Sequence, residues 1–141
     1  MATFGVDITA DDVLDALAFF DSWEDRYKYI IDLGKELPPL DEAYKTDEFI
    51  VRGCQSKVWL VPRNESGQWF FAADSDAFIV KGLLAVVLAA YNGKTSEEIK
   101  AFDIEHYFAQ LNLLKHLSAT RGNGLKAMVQ RIRAWADPAA E

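Results

Sequence analysis

Apolar positions recur every three or four residues at the two ends of the chain and bunch into short β-rich runs between them. Thr9-x-x-Asp12 and Ser22-x-x-Asp25 have the form of helix N-terminal caps. In such caps a hydroxyl takes orphan backbone N–H groups and an acid sits in the positive first turn. Behind the first cap Val13, Leu14, Leu17 and Phe20 form one stripe, and behind the second Trp23, Tyr27, Ile30 and Ile31 form another. Gly34 reads as a left-handed helix stop, and Pro38-Pro39 forbids continuation. Three strands are predicted next: residues 49–52, interrupted by Gly53; residues 58–61, closed by Pro62; and residues 68–72, after the turn Asn64-Glu65-Ser66-Gly67. Their short connections predict an antiparallel meander.

Beyond the strands the helical period returns. Residues 77–91 carry one charge, Lys81, and are otherwise apolar or small on every face, the mark of a central buried helix. Ser75 or Asp76 caps it and Asn92-Gly93 ends it. Thr95-x-x-Glu98 opens a short helix, and Tyr107, Phe108 and Leu111 indicate one more. After a turn at Gly122-Asn123-Gly124, the positions Leu125, Met128, Val129, Ile132 and Trp135 or Ala136 define the last helix. Helices, a small sheet, then helices make an α+β fold rather than alternating βαβ units. No repeat or linker divides the chain, so residues 1–141 read as one domain, with fraying expected only over 137–141.

With 141 residues, half of them apolar and 18 aromatic, the chain can build a packed core without disulfides or metals, and disorder is excluded as its dominant state. The net charge of −7 argues against nucleic acid and anionic membranes as partners. The charge is uneven. Residues 1–48 hold 13 acids and four bases, whereas residues 49–141 hold nine acids and 11 bases. Between His106 and Ala136 there is no acid, but Lys115, Arg121, Lys126, Arg131 and Arg133 fall there. That stretch is either an ordinary solvated helix face or a basic surface for an anionic partner. The longest apolar run, residues 83–91, is too short to span a bilayer, and the first ten residues lack the basic and apolar regions of a secretory signal. The expected location is the cytoplasm.

The chemistry available is narrow. One Cys and two His, without HExxH, CxxC or EF-hand spacing, predict no metal site. There is no P-loop and no GxGxxG. His116 is either a structural histidine or a catalytic one; Arg121, expected just before a helix, is either a surface salt bridge or an anion-binding group; Asp76 reads as a helix cap. Cys54 is the informative residue. Gly53 precedes it and Gln55-Ser56 follow it, so it occupies a polar turn between two predicted strands. A thiol on a turn can present its sulfur to another molecule. Arg52 and Lys57 flank it, and cations close in space favour the reactive thiolate.

The stretch Gly53-Cys54-Gln55-Ser56-Lys57-Val58-Trp59-Leu60 resembles the motif of the SufE family, sulfur acceptors that work beside cysteine desulfurases in iron–sulfur cluster assembly. Trp23-Glu24-Asp25-Arg26-Tyr27 with Ile30-Ile31-Asp32-Leu33-Gly34 and Leu37-Pro38 is similar to that family's N-terminal helix. Asp74-Ser75-Asp76 with Ile79-Val80-Lys81-Gly82-Leu83 resembles the start of its central helix, and His116-Leu117-Ser118 to Arg121 with Gly124-Leu125 its C-terminal turn. The resemblance covers roughly residues 10–135. It implies a small three-stranded antiparallel sheet packed with helices, similar to the scaffold protein IscU. It also implies that Cys54 takes sulfur as a persulfide from a desulfurase, enhances that enzyme and passes the sulfur to an iron–sulfur scaffold or another acceptor. The pyridoxal phosphate belongs to the desulfurase, so no cofactor is expected here. Asp76 and Arg121 match family residues that shape the cysteine loop and the partner contact; His116 matches a family position as well, and Gly53 and Gln55 belong to the motif itself.

The residues fit that implication. A persulfide carrier needs one thiol and no resolving cysteine, because a second thiol would release the sulfur and close a disulfide. Exposed reactive thiols oxidise, so the loop should tuck Cys54 against apolar neighbours between transfers, with Gly53 as its hinge. Two rival readings are a Cys–His hydrolase or transferase using Cys54 with His106 or His116, and an interaction module with a structural Cys54. A paralogue serving a second desulfurase shares the motifs, and a homodimer is compatible with them.

Overall fold

The computed structural model describes residues 3–53 and 56–136. Helix α1 (Ala10–Phe19) starts at Thr9, whose hydroxyl accepts from the Asp12 N–H while the Asp12 carboxylate accepts from the Thr9 N–H. Helix α2 (Trp23–Gly34) starts at Ser22, whose hydroxyl accepts from the Asp25 N–H at 3.2 Å. A single 3₁₀ turn, Glu42–Tyr44, leads towards the sheet. Strands β1 (Val58–Glu65) and β2 (Gln68–Ser75) form an antiparallel hairpin with Val58 opposite Ser75 and Glu65 opposite Gln68. Its two-residue turn has Ser66 at φ 54° and Gly67 at φ 88°, the left-handed pair that matches the twist of a hairpin. Helix α3 (Phe78–Tyr91) follows, then β3 (Lys94–Thr95), α4 (Ser96–Ala101), α5 (Ile104–Leu111), α6 (Leu113–His116) and α7 (Ala119–Ala136).

The three-stranded antiparallel sheet is present, but its strands are not the three expected. Residues 49–52 make no strand: Ile50 forms an isolated bridge to Trp59, supported by Val51 N–H to Val58 O at 2.8 Å and Leu60 N–H to Phe49 O at 3.0 Å. The segment then leaves the sheet towards α7. The third strand is β3, paired with Gln68 and Trp69 on the other edge of β2. Nor does Pro62 end β1, which continues to Glu65. β1 is an edge strand, where a residue without an N–H is tolerated.

Helix α3 is the centre. Apart from Phe78 and Lys81, all of its residues are buried. It packs on β2 and is covered by α1, α2 and α7. At the α2–α3 crossing the backbones touch. A Cβ on Gly34 would lie 2.6 Å from the Gly82 nitrogen, and one on Gly82 would collide with the Ile30 carbonyl oxygen. Gly34 is therefore the last residue of α2, serving this contact, and not a left-handed stop; Lys35 is the C-cap, and the chain turns before Pro38.

Two further expectations are corrected. Neither Ser75 nor Asp76 is the N-cap of α3: Ala77 holds that position without a side-chain cap bond. The Gly122-Asn123-Gly124 turn is part of α7, which begins six residues before Leu125, so Arg121 stands in its first turn rather than ahead of it. Ser118 supplies the start signal, its hydroxyl accepting from the Arg121 N–H at 3.3 Å and its carbonyl from the Gly122 N–H at 2.9 Å. The expected fraying at 137–141 lies outside the described residues. Among those described, no helix is long and apolar enough to cross a membrane.

Glycine's two uses give a paired prediction. Gly82→Ala should overpack the crossing and cost about 1–3 kcal/mol or more. Gly122→Ala, whose Cβ would meet only the Leu114 Cδ2 at 3.6 Å, should gain about 0.5–1 kcal/mol from helix propensity. Thermal melts should then move in opposite directions. Equal shifts would contradict the backbone contact.

Candidate functional site

Cys54 and Gln55 lie outside the described residues. The residues on either side of them form a closed frame. The Val51–Val58 hydrogen bond shuts the base of the segment 52–57. Gly53 has φ 95°, a conformation that L side chains rarely adopt, and a Cβ there would sit 3.3 Å from the Ala127 Cβ on α7. The same helix reaches back through Arg131, whose Nη2 donates to the Glu48 carbonyl at 3.2 Å. The entry limb thus runs against α7.

The exit limb is held by the residues just ahead of α3. The Lys57 N–H donates to the Asp76 carboxylate at 3.1 Å. The Lys57 carbonyl accepts from the Ser75 hydroxyl at 2.7 Å and from the Asp76 N–H at 3.3 Å. Asp76 therefore grips the backbone of the cysteine segment instead of capping α3. Its neighbour Asp74 accepts from Lys45 at 3.1 Å and pairs with Lys81 at 3.5 Å. Burial pushes the Asp74 carboxyl up. Hydrogen bonds from Lys45 and the Ser75 N–H, with the charges of Lys81 and Lys45, outweigh burial and hold the group below the usual carboxylate range. Lys45 also lies 5.7 Å over the Trp59 ring.

Beside the exit limb, between α3 and α7, is a small cavity of about 40 Å³. Ser56 lines it from the cysteine segment, Val80 and Leu83 from α3, and Thr120, Arg121, Gly124 and Met128 from α7. A water-sized group needs roughly 10–15 Å³ of such space. Arg121 is half-buried here. Arg121 is the one charged residue among those lining the cavity, and the first turn of α7 carries no acid to offset it.

The sequence-predicted residues thus fall into two groups. Gly53, Asp76 and Arg121 surround the segment that carries Cys54. His116 stands apart from the cavity lining: it is exposed at the end of α6 and stacks on Trp23 at 4.4 Å between ring centroids. His106 is exposed in the first turn of α5 and likewise does not line the cavity. Among the described residues no group of three or more His, Cys, Asp or Glu could hold a metal ion. Sequence reasoning did not assign Ser56, Val80, Leu83, Thr120, Gly124 or Met128 to the site. Thr120, Gly124 and Met128 recur every four residues, and this spacing would have revealed them had α7 been started at Ala119.

The family described as "SufE: Fe-S metabolism associated domain" matches residues 11–136. An uncharacterized SufE-like protein of Rhizobium etli is 49% identical over 127 residues, covering 87% of this chain and 86% of its own. An uncharacterized SufE-like protein of Rhizobium meliloti is 45% identical over 131 residues, covering 90% and 94%. The solution structure of a hypothetical protein from Thermus thermophilus has the same fold, with a TM-score of 0.74 at 17% identity over 93% of this chain and 95% of that one.

Two predictions follow the geometry. Asp76→Arg should remove the acceptor for the Lys57 N–H and cost about 0.5–1.5 kcal/mol. It should also speed hydrogen exchange at Lys57 and alkylation of Cys54 in the folded protein. Unchanged alkylation would confine Asp76 to a local hydrogen bond. Separately, Asp74 has a lowered pKa in the folded chain, so its contribution is complete above the ordinary carboxylate pKa and lost as the pH falls through the lower, folded value. The stability gap between wild type and Asp74→Asn should accordingly close on acidification. A gap independent of pH would remove the charge pairing as its cause.

Proposed function

The chain belongs to the SufE family and shares its role in iron–sulfur metabolism, and on that premise we propose that Cys54 accepts sulfur from a cysteine desulfurase and carries it as a persulfide. The observation that carries the reading is the cavity that Ser56, two residues along the chain from the only thiol, shares with Arg121, the one charged residue of its lining. The Cys54 thiolate attacks the terminal sulfur of the donor's persulfide. A new S–S bond forms on Cys54, the donor's S–S bond breaks, and the donor cysteine leaves as thiolate. Electrons balance without an external oxidant, and no cofactor is needed on this chain. The sulfur then passes to an iron–sulfur scaffold or another acceptor by the same exchange.

Each surrounding residue has a task in this reading. Arg121 offsets the repulsion between two anionic sulfurs as they approach. The apolar part of the cavity, from Val80, Leu83 and Met128, shelters the sulfur from oxidants between transfers. The left-handed Gly53 and the three hydrogen bonds from Ser75 and Asp76 to the Lys57 backbone fix the two limbs, so displacement of the exit limb requires breaking identifiable hydrogen bonds. Partner binding then has a definite step to drive, and the desulfurase is enhanced because its persulfide is cleared.

Intact-protein mass spectrometry after incubation with a desulfurase and cysteine tests this. One reducible extra sulfur should map to the Cys54 peptide, and Cys54→Ser should fold but take up none. Arg121→Ala should slow transfer about tenfold or more, since a hydrogen bond to a charged group contributes roughly 1.5–3 kcal/mol, and Arg121→Lys should restore part of the rate. An unmodified Cys54 beside an active desulfurase would refute the function.

A further inference from the structure

β1 is an edge strand whose outer side is paired along only part of its length. The Val58 carbonyl and the Leu60 N–H point outwards and are taken up by Val51 and Phe49. An antiparallel ladder alternates, so residues 62 and 64 turn their backbone groups the same way. Residues 49–51 do not reach them. The Pro62 carbonyl and the N–H and carbonyl of Asn64 have no hydrogen-bond partner among the described residues. A free edge of this kind is a template for another strand.

A groove of about 800 Å³ opens at the same place, within the range of roughly 300–1,000 Å³ found for ligand sites. Phe4, Tyr44, Phe49 and Phe71 line it, and Val61, Pro62 and Arg63 bring β1 into the lining. Arg63 is the one charged residue of that lining, and it is already engaged, with Glu65 at 2.9 Å and the Phe70 ring at 5.1 Å. The stretch 36–49, which supplies Tyr44 and Phe49, holds five acids and one base, Lys45. Lys45 pairs with Glu42 and Asp74. Glu36, Asp41 and Asp47 are exposed and have no ion-pair partner among the described residues. An apolar groove, an unpaired strand edge and an acidic border thus meet in one place.

We propose that this edge and groove bind an extended peptide of a partner protein, apolar at alternate positions and carrying Lys or Arg between them. Its main chain pairs with Pro62 and Asn64, and its apolar side chains enter the groove. Added strands of this kind draw affinity from main-chain hydrogen bonds and specificity from pockets for alternate side chains. Opposite charge steers the encounter and suppresses wrong partners. A second copy of this chain is a poorer occupant, because it brings the same acids and a net charge of −7. From Val58 to Pro62 is four residues of strand, about 13 Å. A peptide seated at Pro62 therefore leaves the cysteine segment uncovered, and the inference does not rest on the sulfur-acceptor reading.

Titration of the full-length, isotope-labelled protein with a synthetic hexapeptide alternating lysine and valine tests this by NMR, with the glutamate–valine hexapeptide as control. The lysine peptide should shift the Asn64 and Phe49 amides and slow exchange of the Asn64 N–H, and the glutamate peptide should do neither. Asn64→Pro removes the outward donor and should weaken binding about fivefold. Glu36→Lys with Asp47→Lys, both on exposed side chains, should weaken it by about the same factor with the melting temperature unchanged. No shift at Asn64 with millimolar lysine peptide overturns the proposal. Equal affinity for the two peptides, or for the wild type and the double lysine variant, refutes the basic partner. A concentration-dependent dimer that Asn64→Pro dissolves gives the edge to a second copy and refutes it as well.

Discussion

A helix with no polar face has to be covered all round, and in this fold α3 is that helix. Its cover is drawn from every part of the chain: the hairpin on one side, and α1, α2 and α7 on the others. The tightest part of the cover is the crossing with α2, where Gly34 and Gly82 let two backbones meet. Packing at that distance leaves no room to slide or rotate, because any side chain at either glycine would strike main-chain atoms. The position of α3 is thus fixed by contact between backbones, and elements packed on α3 inherit that position.

The start of α3, where Phe78 meets solvent, is also where the cysteine segment enters β1. Ser75 ends β2, Asp76 follows it ahead of α3, and the two hold Lys57 by three hydrogen bonds. The rigid centre of the fold is in this way connected directly to the exit limb of the functional segment. The entry limb is tied instead to α7, through Gly53 beside Ala127 and Arg131 to the Glu48 carbonyl. α7 and α3 face one another across the cavity. Their fixed separation defines its width, and the sulfur chemistry proposed for this site needs a small, sheltered and electropositive space rather than a large pocket.

Much of this was legible in the sequence where one physical signal dominated. The caps at Thr9 and Ser22, the featureless apolarity of residues 77–91 and the α+β order were all read from local pattern. Errors arose where a residue had two meanings. Gly34 suits a left-handed stop and also a helix crossing; only the position of Gly82 decides between them. Asp76 has the chemistry of a cap and of any backbone acceptor, and its partner, Lys57, is distant in sequence. Gly122-Asn123-Gly124 has turn propensity, which the packing of α7 on α3 overrides. β3 is two residues long and carries no strand pattern of its own. At the site, the motif around Cys54 is a local pattern, whereas the cavity walls from α3 and α7 depend on tertiary packing.

The charge asymmetry acquires its meaning only when these facts are combined. As sequence, an acid-free stretch from His106 to Ala136 is indistinguishable from an ordinary solvated face. In the fold, α7 begins beside the cavity, so Arg121 in its first turn lines the same space as Ser56 of the segment that holds Cys54. The acids of the N-terminal third are mostly spent elsewhere, on the caps of α1 and α2 and on exposed positions. A free thiol is weakly nucleophilic until it ionises, and a positive environment favours ionisation without any dedicated base. No histidine is needed within reach of the sulfur for that purpose. The absence of both histidines from the cavity wall is accordingly no obstacle to a thiolate at Cys54, while a hydrolase of the Cys–His kind would require one there.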